Sequence, residues 1–281
     1  MTQGIALGVD RTVRVNGLQL HYLEWGVPKN PPVIMVHGLS GNAHNFDRLA
    51  PHFVPKYHVI SVDVRGRGDS EWAKDGDYST QAYVSDLEGL RAALGLRRIS
   101  LIGTSMGGRI SLAYAGTYPS RVERLVLNDI GPEVDSRGGE RISRYMREAP
   151  QRFETLEEVV AFYRANYPLL SGLNEQEMRQ YVGYTVKPHP EGGLAWKLDP
   201  AIRQDPRRPD AAQAWGWANA ITAPVLLIRG GESDVLSPEV ARRMVRELGS
   251  CRLVTVPGVG HAPTLAEPQA LDATKEFFDL T

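Results

Sequence analysis

The sequence predicts an α/β protein: a mostly parallel, doubly wound sheet with an inserted helical cap. Short runs that are apolar on both faces recur along the chain, for example Val33–Val36 and Val225–Ile228, and such runs are typical of parallel strands covered by helices. Helical periodicity at Ser79–Leu94 separates two of these runs. The alternation stops between Asn128 and Ile221, where roughly ninety residues intervene, which is too long for a simple loop.

The N-terminal region predicts a β-hairpin that starts the sheet. Two strand-like segments, Thr12–Val15 and Leu18–Leu23, flank Asn16-Gly17, and this dipeptide tolerates the positive φ angles that a two-residue turn needs. The later strands are predicted at the other short apolar runs: Val33–Val36, Val59–Val62, Ile99–Ile102, Arg124–Leu127, Val225–Ile228 and Leu253–Val256.

Residues 1–131 and 221–281 are predicted to form the core domain, and residues 132–220 the helical cap. Two capping patterns support helices in the cap, beginning at Thr155 and at Asn174. In each, the capping residue is followed three positions later by Glu, a pattern that satisfies the first free N–H groups of a helix.

Composition excludes several classes of function. The 281 residues contain 32 Lys and Arg against 33 Asp and Glu, a net charge of −1, so no global field favours nucleic acid or an anionic membrane. The single cysteine, Cys251, cannot form an intramolecular disulfide, and no Cys/His cluster suggests a metal site. Residues 1–10 lack a basic segment followed by an apolar stretch, and no run is long enough to span a membrane. We therefore expect a cytoplasmic protein without metal or organic cofactor, whose oligomeric state the sequence does not predict.

The most informative motif is Gly103-Thr104-Ser105-Met106-Gly107, a G-x-S-x-G run. It follows the apolar segment Ile99–Ile102 and precedes a predicted helix at Arg109–Tyr118, which is how a serine nucleophile is mounted on a tight strand-to-helix turn. The two glycines of the run give the strand and helix room to close around the serine. The motif therefore predicts acyl-transfer chemistry at Ser105.

Two further apolar runs each lead to a polar residue that could assist the serine. Asp234 follows Val225–Ile228, and His261 follows Leu253–Val256 and a glycine-rich turn. A serine hydroxyl needs a neutral imidazole as its base, and the imidazole needs an anion that fixes its tautomer. The order Ser105, Asp234, His261 is that of serine hydrolases built on an open α/β sheet.

A second aspartate offers an alternative for the acid. Asp129 follows the run that ends at Leu127 and could also reach the histidine. We favour Asp234, because it occupies the commoner chain position and lies in a Gly-Gly-Glu-Ser-Asp turn that can direct a side chain toward the histidine loop.

Together these motifs resemble the α/β-hydrolase fold family, in its cap-bearing branch of serine esterases and lactonases. The resemblance covers nearly the whole chain. The matching residues are His37-Gly38, Asp63–Ser70, Gly103–Gly107, Asp234 and Gly260-His261.

The resemblance implies a serine hydrolase that cleaves small-molecule carboxylic esters or lactones through an acyl-enzyme. It places the two oxyanion-hole donors at the backbone N–H groups of Leu39 and Met106. His37 is expected to brace the loop that carries the first donor, and Asp63 and Arg65 to fix the neighbouring loop.

Four residues are candidates for substrate contact. His44 and Phe46 lie just beyond the glycine-rich loop at His37–Gly41, here called the oxyanion loop. His44 either touches substrate or braces this loop. The cap concentrates aromatic residues, most of which are expected to form its own core. A few, such as Trp196 and Trp215, are expected to line the pocket.

Two other functions stay open. Carbon–carbon bond hydrolases of this fold retain the same triad, and the run Ser105–Gly108 resembles theirs, although Ala262-Pro263 stands where they usually carry a bulky aromatic. The fold also serves some relatives as a non-catalytic ligand receptor. Turnover of a short-chain ester separates an enzyme from a receptor.

Overall fold

The computed structural model describes residues 8–167, 170, 173–204 and 210–280. Strands and helices alternate within these residues, as predicted for an α/β fold. The strands, in chain order, are β1 (Val9–Val15), β2 (Leu18–Trp25), β3 (Pro32–Val36), β4 (His58–Val62), β5 (Ile99–Thr104), β6 (Val122–Asn128), β7 (Arg152–Phe153), β8 (Val186–Pro188), β9 (Leu194–Trp196), β10 (Val225–Gly230) and β11 (Cys251–Val256). The α-helices are α1 (Thr80–Ala93), α2 (Met106–Thr117), α3 (Ser136–Glu148), α4 (Leu156–Asn166), α5 (Glu175–Gly183), α6 (Ala211–Asn219), α7 (Pro238–Glu247) and α8 (Pro268–Phe277).

Eight strands form the main sheet in the order β1-β2-β4-β3-β5-β6-β10-β11. The predicted hairpin of β1 and β2 is confirmed, with Asn16 and Gly17 at φ 50° and 80° in its turn. β2 pairs antiparallel with β4, and every later neighbour pair is parallel. The carboxyl ends of β3, β5, β6, β10 and β11 therefore meet along one edge of the sheet.

Helices cover both faces of the sheet, as expected from strands that are apolar on both sides. Residues of α1, α2, α6 and α7 belong to the apolar cluster on one face, and residues of α8 belong to the cluster on the other. β10 is buried along its whole length, whereas most residues of β11, at the sheet edge, are exposed or partly exposed. Among the described residues, no helix combines the length and the apolar character needed to cross a membrane.

The segment between β6 and β10, here called the insert, carries α3 to α6 and a small antiparallel sheet in the order β7-β9-β8. The helices at the two predicted caps are present: Thr155 accepts a hydrogen bond from the Glu158 N–H, and Asn174 with Glu177 forms a complete capping box. The small sheet was not predicted, because strands of two or three residues are too short to show a period of two.

Most of the insert has its own apolar core, which includes Phe153, Tyr163 and Trp196. The helix α6 differs, although it lies within the predicted 132–220 cap. Its residues Trp215 and Ala218 belong to the apolar cluster on the face of the main sheet that α2 covers.

Two sets of main-chain hydrogen bonds anchor the insert to the core. At the first anchor, Arg67 pairs with Leu198 in an antiparallel bridge, and the Asp199 N–H donates to the Gly66 carbonyl at 2.9 Å. A salt bridge from Lys197 reinforces it.

The second anchor joins the start of α3 to the loop after β10. The Asp135 N–H donates to the Val235 carbonyl, and the Gly138 N–H donates to the Asp234 carbonyl, both at 2.9 Å. A Cβ on Gly138 would lie 2.3 Å from that Asp234 oxygen, so only glycine permits this approach.

Candidate active site

Ser105 lies at a sharp corner between β5 and α2. Its backbone has φ 54° and ψ −116°, a conformation that a residue with a side chain adopts only under strain. The flanking glycines permit the corner, as predicted. A Cβ on Gly103 would lie 2.4 Å from the Gly107 carbonyl oxygen, and one on Gly107 would lie 2.0 Å from the Val36 carbonyl oxygen.

The structure brings Ser105, His261 and Asp129 together. The Ser105 Oγ lies 2.7 Å from His261 Nε2, and His261 Nδ1 lies 2.8 Å from Asp129 Oδ2. Asp129 is fully buried, and its other carboxylate oxygen accepts the Gly230 N–H at 2.9 Å. Both oxygens of this buried anion are therefore hydrogen bonded, as a buried charge requires.

Asp234, the favoured candidate for this position, does not bond His261. Its two carboxylate oxygens accept hydrogen bonds from Arg141 Nε and Nη2 at 2.6 and 2.8 Å, and these bonds hold the pKa of Asp234 below its usual value. The prediction that Asp234 bonds the imidazole is corrected by this geometry. Asp129 directly follows β6, the neighbour of β5, whereas Asp234 lies four residues beyond the end of β10 at Gly230.

Asn128, which the sequence interpretation missed, connects the loops that carry these groups. Its carbonyl accepts the Ser105 N–H at 2.9 Å. Its side-chain Nδ2 donates to Thr104 Oγ1 at 3.1 Å and to the Pro263 carbonyl at 2.7 Å. The available signal was a polar residue at the end of an apolar run, because such a residue is buried when the run is a central strand and must then find partners.

The loop after β3 lies directly beside Ser105. A Cβ on Gly38 would lie 3.7 Å from the Ser105 Cβ. The Gly38 carbonyl accepts hydrogen bonds from His37 Nδ1 at 2.7 Å and from the Gly41 N–H at 3.1 Å. Because a trans peptide points its C=O and N–H in opposite directions, these two bonds fix the direction of the Leu39 N–H.

His37 braces this loop as a neutral imidazole. It is fully buried, and burial lowers its pKa to about 4. Its Nδ1 then donates to Gly38, while its Nε2 accepts the Val64 N–H at 3.2 Å.

The second predicted donor is on Met106, the first residue of α2. The N–H groups of the first helical turn have no acceptor within the helix, and the positive end of the helix dipole stabilises a nearby anion. Met106 follows Ser105 directly, so its N–H belongs to the peptide bond that joins the corner to the helix.

Arg67 contacts both donor-bearing residues, and the sequence interpretation gave it no role. The guanidinium donates from Nε to the Leu39 carbonyl at 2.9 Å and from Nη2 to the Met106 sulfur at 3.3 Å. Its Nη1 bonds the Arg65 carbonyl and the Tyr83 hydroxyl. Only 1% of Arg67 is exposed, so these contacts fix it between the two segments.

Asp63 and Arg65 fix the neighbouring loop, in line with the expectation for them. The buried Asp63 carboxylate accepts from His21 Nδ1 at 2.7 Å and from the N–H groups of Ala43 and Asp69 at 2.6 and 2.9 Å. Burial opposes ionisation, but these bonds outweigh it and lower the pKa of Asp63. Arg65 forms a two-pronged ion pair with Asp86.

His21, Asp63 and Asp69 each have one atom that could ligate a metal ion, and these atoms lie within 4.8 Å of one another. His21 and Asp63 are already bonded to each other, and the Asp63 oxygens accept three hydrogen bonds. Hydrogen bonds within the chain therefore already satisfy the Asp63 carboxylate and brace the loop.

Two of the four predicted substrate contacts lie near the junction of the insert and the core. The His44 ring stacks on Tyr184 at 3.4 Å between ring centres, and its Nδ1 bonds Asp47 at 2.9 Å, which is the bracing alternative. Trp196 lies in the insert core, lines a cleft beside the oxyanion loop, and donates from Nε1 to the Pro150 carbonyl at 2.6 Å.

The other two predicted contacts, Phe46 and Trp215, are not among the described residues that line this cleft. Phe46 is 3% exposed and packs in the core on the α8 face. Trp215 packs in the opposite core, donates to Glu133 at 2.6 Å, and carries the Arg243 guanidinium 3.7 Å above its ring. Aromatic content alone does not separate core residues from pocket residues.

The insert covers the segment after β3 through side-chain hydrogen bonds. Ser40 Oγ bonds the Tyr167 hydroxyl at 2.7 Å, and Asn45 Nδ2 donates to the Tyr181 hydroxyl at 2.7 Å. Burial raises the pKa of Tyr167 well above its usual value, so this hydroxyl stays protonated. The insert therefore covers residues close to Ser105.

Comparisons with known proteins agree with this architecture. A family sequence model described as alpha/beta hydrolase fold matches residues 31–268. A 3-hydroxybutyrate-oligomer hydrolase of Cupriavidus necator is 36% identical over 99% of this chain and 99% of its own length. A 2-(acetamidomethylene)succinate hydrolase of Mesorhizobium japonicum is 28% identical over 96% of this chain and 95% of its own length. The crystal structure of an alpha/beta hydrolase from Novosphingobium aromaticivorans superposes with a TM-score of 0.87 at 33% identity, over 99% of this chain and 100% of that one.

Proposed function

Because this chain belongs to the α/β-hydrolase fold family, we propose that it is a carboxylic ester hydrolase with Ser105 as nucleophile, His261 as general base and Asp129 as the orienting acid. The observation that carries the proposal is the continuous pair of hydrogen bonds, 2.7 Å from Ser105 to His261 and 2.8 Å from His261 to Asp129. This geometry suits proton transfer from a serine hydroxyl.

The proposed reaction begins with attack of the Ser105 Oγ on the ester carbonyl carbon. The hydroxyl proton passes to His261 Nε2, and Asp129 stabilises the resulting imidazolium through Nδ1. When the tetrahedral intermediate collapses, the carbon–oxygen bond to the alcohol breaks, and His261 returns the proton to the leaving oxygen. Water then repeats the sequence on the acyl-enzyme and releases the acid.

The N–H groups of Leu39 and Met106 are the proposed oxyanion donors. Support comes from the fixed direction of the Leu39 N–H and from the position of Met106 at the start of α2. Donors that are oriented before reaction stabilise the developing charge without reorganisation, and one such donor contributes about 3 to 4 kcal/mol.

Esters, rather than lactones or carbon–carbon bonds, are the substrates we favour. The relative from Cupriavidus necator acts on 3-hydroxybutyrate oligomers, and oligomers of a hydroxy acid are joined by ester bonds. A serine triad with an oxyanion hole needs no further group to cleave such a bond.

The proposal is tested with 4-nitrophenyl butyrate and the Ser105→Ala variant. We expect the substitution to lower kcat by on the order of 10⁵ to 10⁶, because the nucleophile is lost while binding remains. Ser120→Ala, at an exposed serine beyond α2, is the matched control and should retain full activity.

A fluorophosphonate should label the wild-type protein on Ser105 alone, as read by mass spectrometry of its peptides. Activity retained by Ser105→Ala, or a label on another residue, would contradict the mechanism. Absence of any turnover by the wild type would favour the receptor alternative.

A further inference from the structure

A small cleft lies between the insert and the oxyanion loop. Ser40 and Gly41 line it on one side, and Trp196 and Leu198 line it on the other. Its free volume is about 20 Å³, enough for a group the size of one or two water molecules. The cleft therefore suits a small polar group of a ligand rather than a whole acyl chain.

The cleft is cationic. Three of its described lining residues, Arg67, Lys197 and Arg203, carry positive charge, and none of the described lining residues is acidic. Lys197 is neutralised by Asp69 at 2.7 Å. The other two cations differ from it in their partners.

Arg67 has only uncharged partners among the described residues. Its four hydrogen bonds go to two carbonyls, one hydroxyl and one thioether. A guanidinium has five N–H groups, so one N–H on Nη2 remains. A buried cation without a counter-ion is costly, and an anion in the cleft would offset that cost.

Arg203 also donates only to carbonyls within the described part of the chain. Nη1 bonds the Ala149 carbonyl at 2.9 Å, and Nη2 bonds the Pro150 carbonyl at 3.3 Å. Burial lowers the pKa of this guanidinium. Its bonds to described residues leave Nε and one hydrogen on each terminal nitrogen for a ligand.

We propose that Arg203, assisted by Arg67, binds a carboxylate carried by the substrate, so that the preferred substrates are esters with a free acid group. The inference rests on the proposed ester hydrolysis. A planar guanidinium matches a carboxylate, the cleft has room for that group, and Arg67 itself contacts both residues that carry the proposed oxyanion donors. A carboxylate bonded to Arg67 would therefore lie beside the two residues that carry the proposed oxyanion donors.

The test compares anionic and neutral esters in two matched pairs. Mono-4-nitrophenyl glutarate against 4-nitrophenyl pentanoate places the charge on the acyl side, and 3-acetoxybutyrate against 3-acetoxybutanamide places it on the alcohol side. We expect the wild type to favour the anionic member of one pair. Arg203→Gln should lower the ratio of kcat/KM values, anionic over neutral, by about 10-fold to 100-fold, as expected for a charge-assisted hydrogen bond.

Two further variants control the measurement. Arg203→Lys keeps the charge but not the planar fork and should give an intermediate ratio. Arg179→Gln removes a guanidinium of α5 that pairs with Glu157 outside the cleft, and it should leave the ratio unchanged. In the Ser105→Ala background, Arg203→Gln should also raise the Kd of the uncleaved anionic ester by about 10-fold.

The outcomes separate the inference from the function on which it rests. If the wild type hydrolyses the neutral esters but shows no preference for either anionic partner, or if Arg203→Gln leaves the preference intact, the carboxylate site is overturned and ester hydrolysis stands. If the wild type hydrolyses none of the four esters, the proposed function fails first.

Discussion

Asp129 and Asp234 lie in the loops that follow two adjacent parallel strands, β6 and β10, yet their surroundings differ. Asp129 is fully buried, and its carboxylate bonds His261 and the Gly230 N–H. The Asp234 side chain is 27% exposed and is held by Arg141. Besides the Arg141 bonds, the charge of the nearby His261 also lowers the pKa of Asp234. The two Asp234 carboxylate oxygens, however, already bond the Arg141 guanidinium. The partners of an acid therefore depend on its neighbours in space rather than on its place in the chain.

Replacing each aspartate by asparagine distinguishes the two residues by their effect on turnover. We expect Asp129→Asn to lower kcat by on the order of 10⁴, because the imidazole loses its orienting anion and its correct tautomer. Asp234→Asn is the matched control, with an expected loss below about 10-fold, measured on the same ester under the same conditions. A larger loss for Asp234→Asn, with both variants folded by circular dichroism, would transfer the acid role to Asp234.

The buried and exposed sides of the site also respond differently to pH. Burial lowers the pKa of His37 from 6.5 to about 4. Between these values the unfolded chain binds a proton that the folded chain does not, so the free energy of unfolding falls as pH decreases, by about 3 kcal/mol in total. The pKa of Asp234 is lowered from 3.8, so its contribution to stability is present above pH 3.8 and is lost only as pH falls below that value.

Urea unfolding between pH 7.5 and 4.5 sharpens the contrast. The stability of His37→Gln should fall less steeply than that of the wild type, by up to about 1.4 kcal/mol per pH unit. Asp234→Asn should give a curve parallel to the wild type across this range. Parallel curves for His37→Gln and the wild type would show that His37 is not held neutral by burial.

The smallest expected effect is the coupling between Arg141 and Asp234. The Arg141 side chain is 43% exposed, so solvent screens the pair, and such pairs contribute about 0.2 to 1 kcal/mol. A double-mutant cycle with Arg141→Gln and Asp234→Asn, read by urea unfolding, measures this coupling. A value above about 3 kcal/mol would mean that the pair is a principal support of the insert rather than a surface contact.

Much of the fold follows from local signals in the sequence. The apolar strands, the Asn16-Gly17 turn and the glycines around Ser105 each act over a few residues, so pattern and sterics predict them. The acid was harder to predict, because two aspartates follow strands that both end near His261. The two aspartates are distinguished by their partners in three dimensions, since Arg141 bonds both carboxylate oxygens of Asp234.

Substrate contacts were the least predictable part of the site. Phe46 and Trp215 are aromatic residues near plausible positions, but packing places them in the two cores. Arg203 carries no motif, and its proposed role rests on the absence of a carboxylate among its described hydrogen-bond partners. A sequence reports the chemistry of each side chain, whereas its partners depend on tertiary contacts.

The docking of α3 onto the loop after β10 has a consequence for protein engineering. Two of its contacts, from the Asp135 and Gly138 N–H groups, are made by backbone atoms, and a third is the ion pair of Arg141 with Asp234. A library that randomises the other exposed positions of α3 can therefore retain Gly138 and Arg141 as fixed positions and still keep this attachment. Selection from such a library would act on substrate range while the scaffold that holds Ser105 and His261 stays constant.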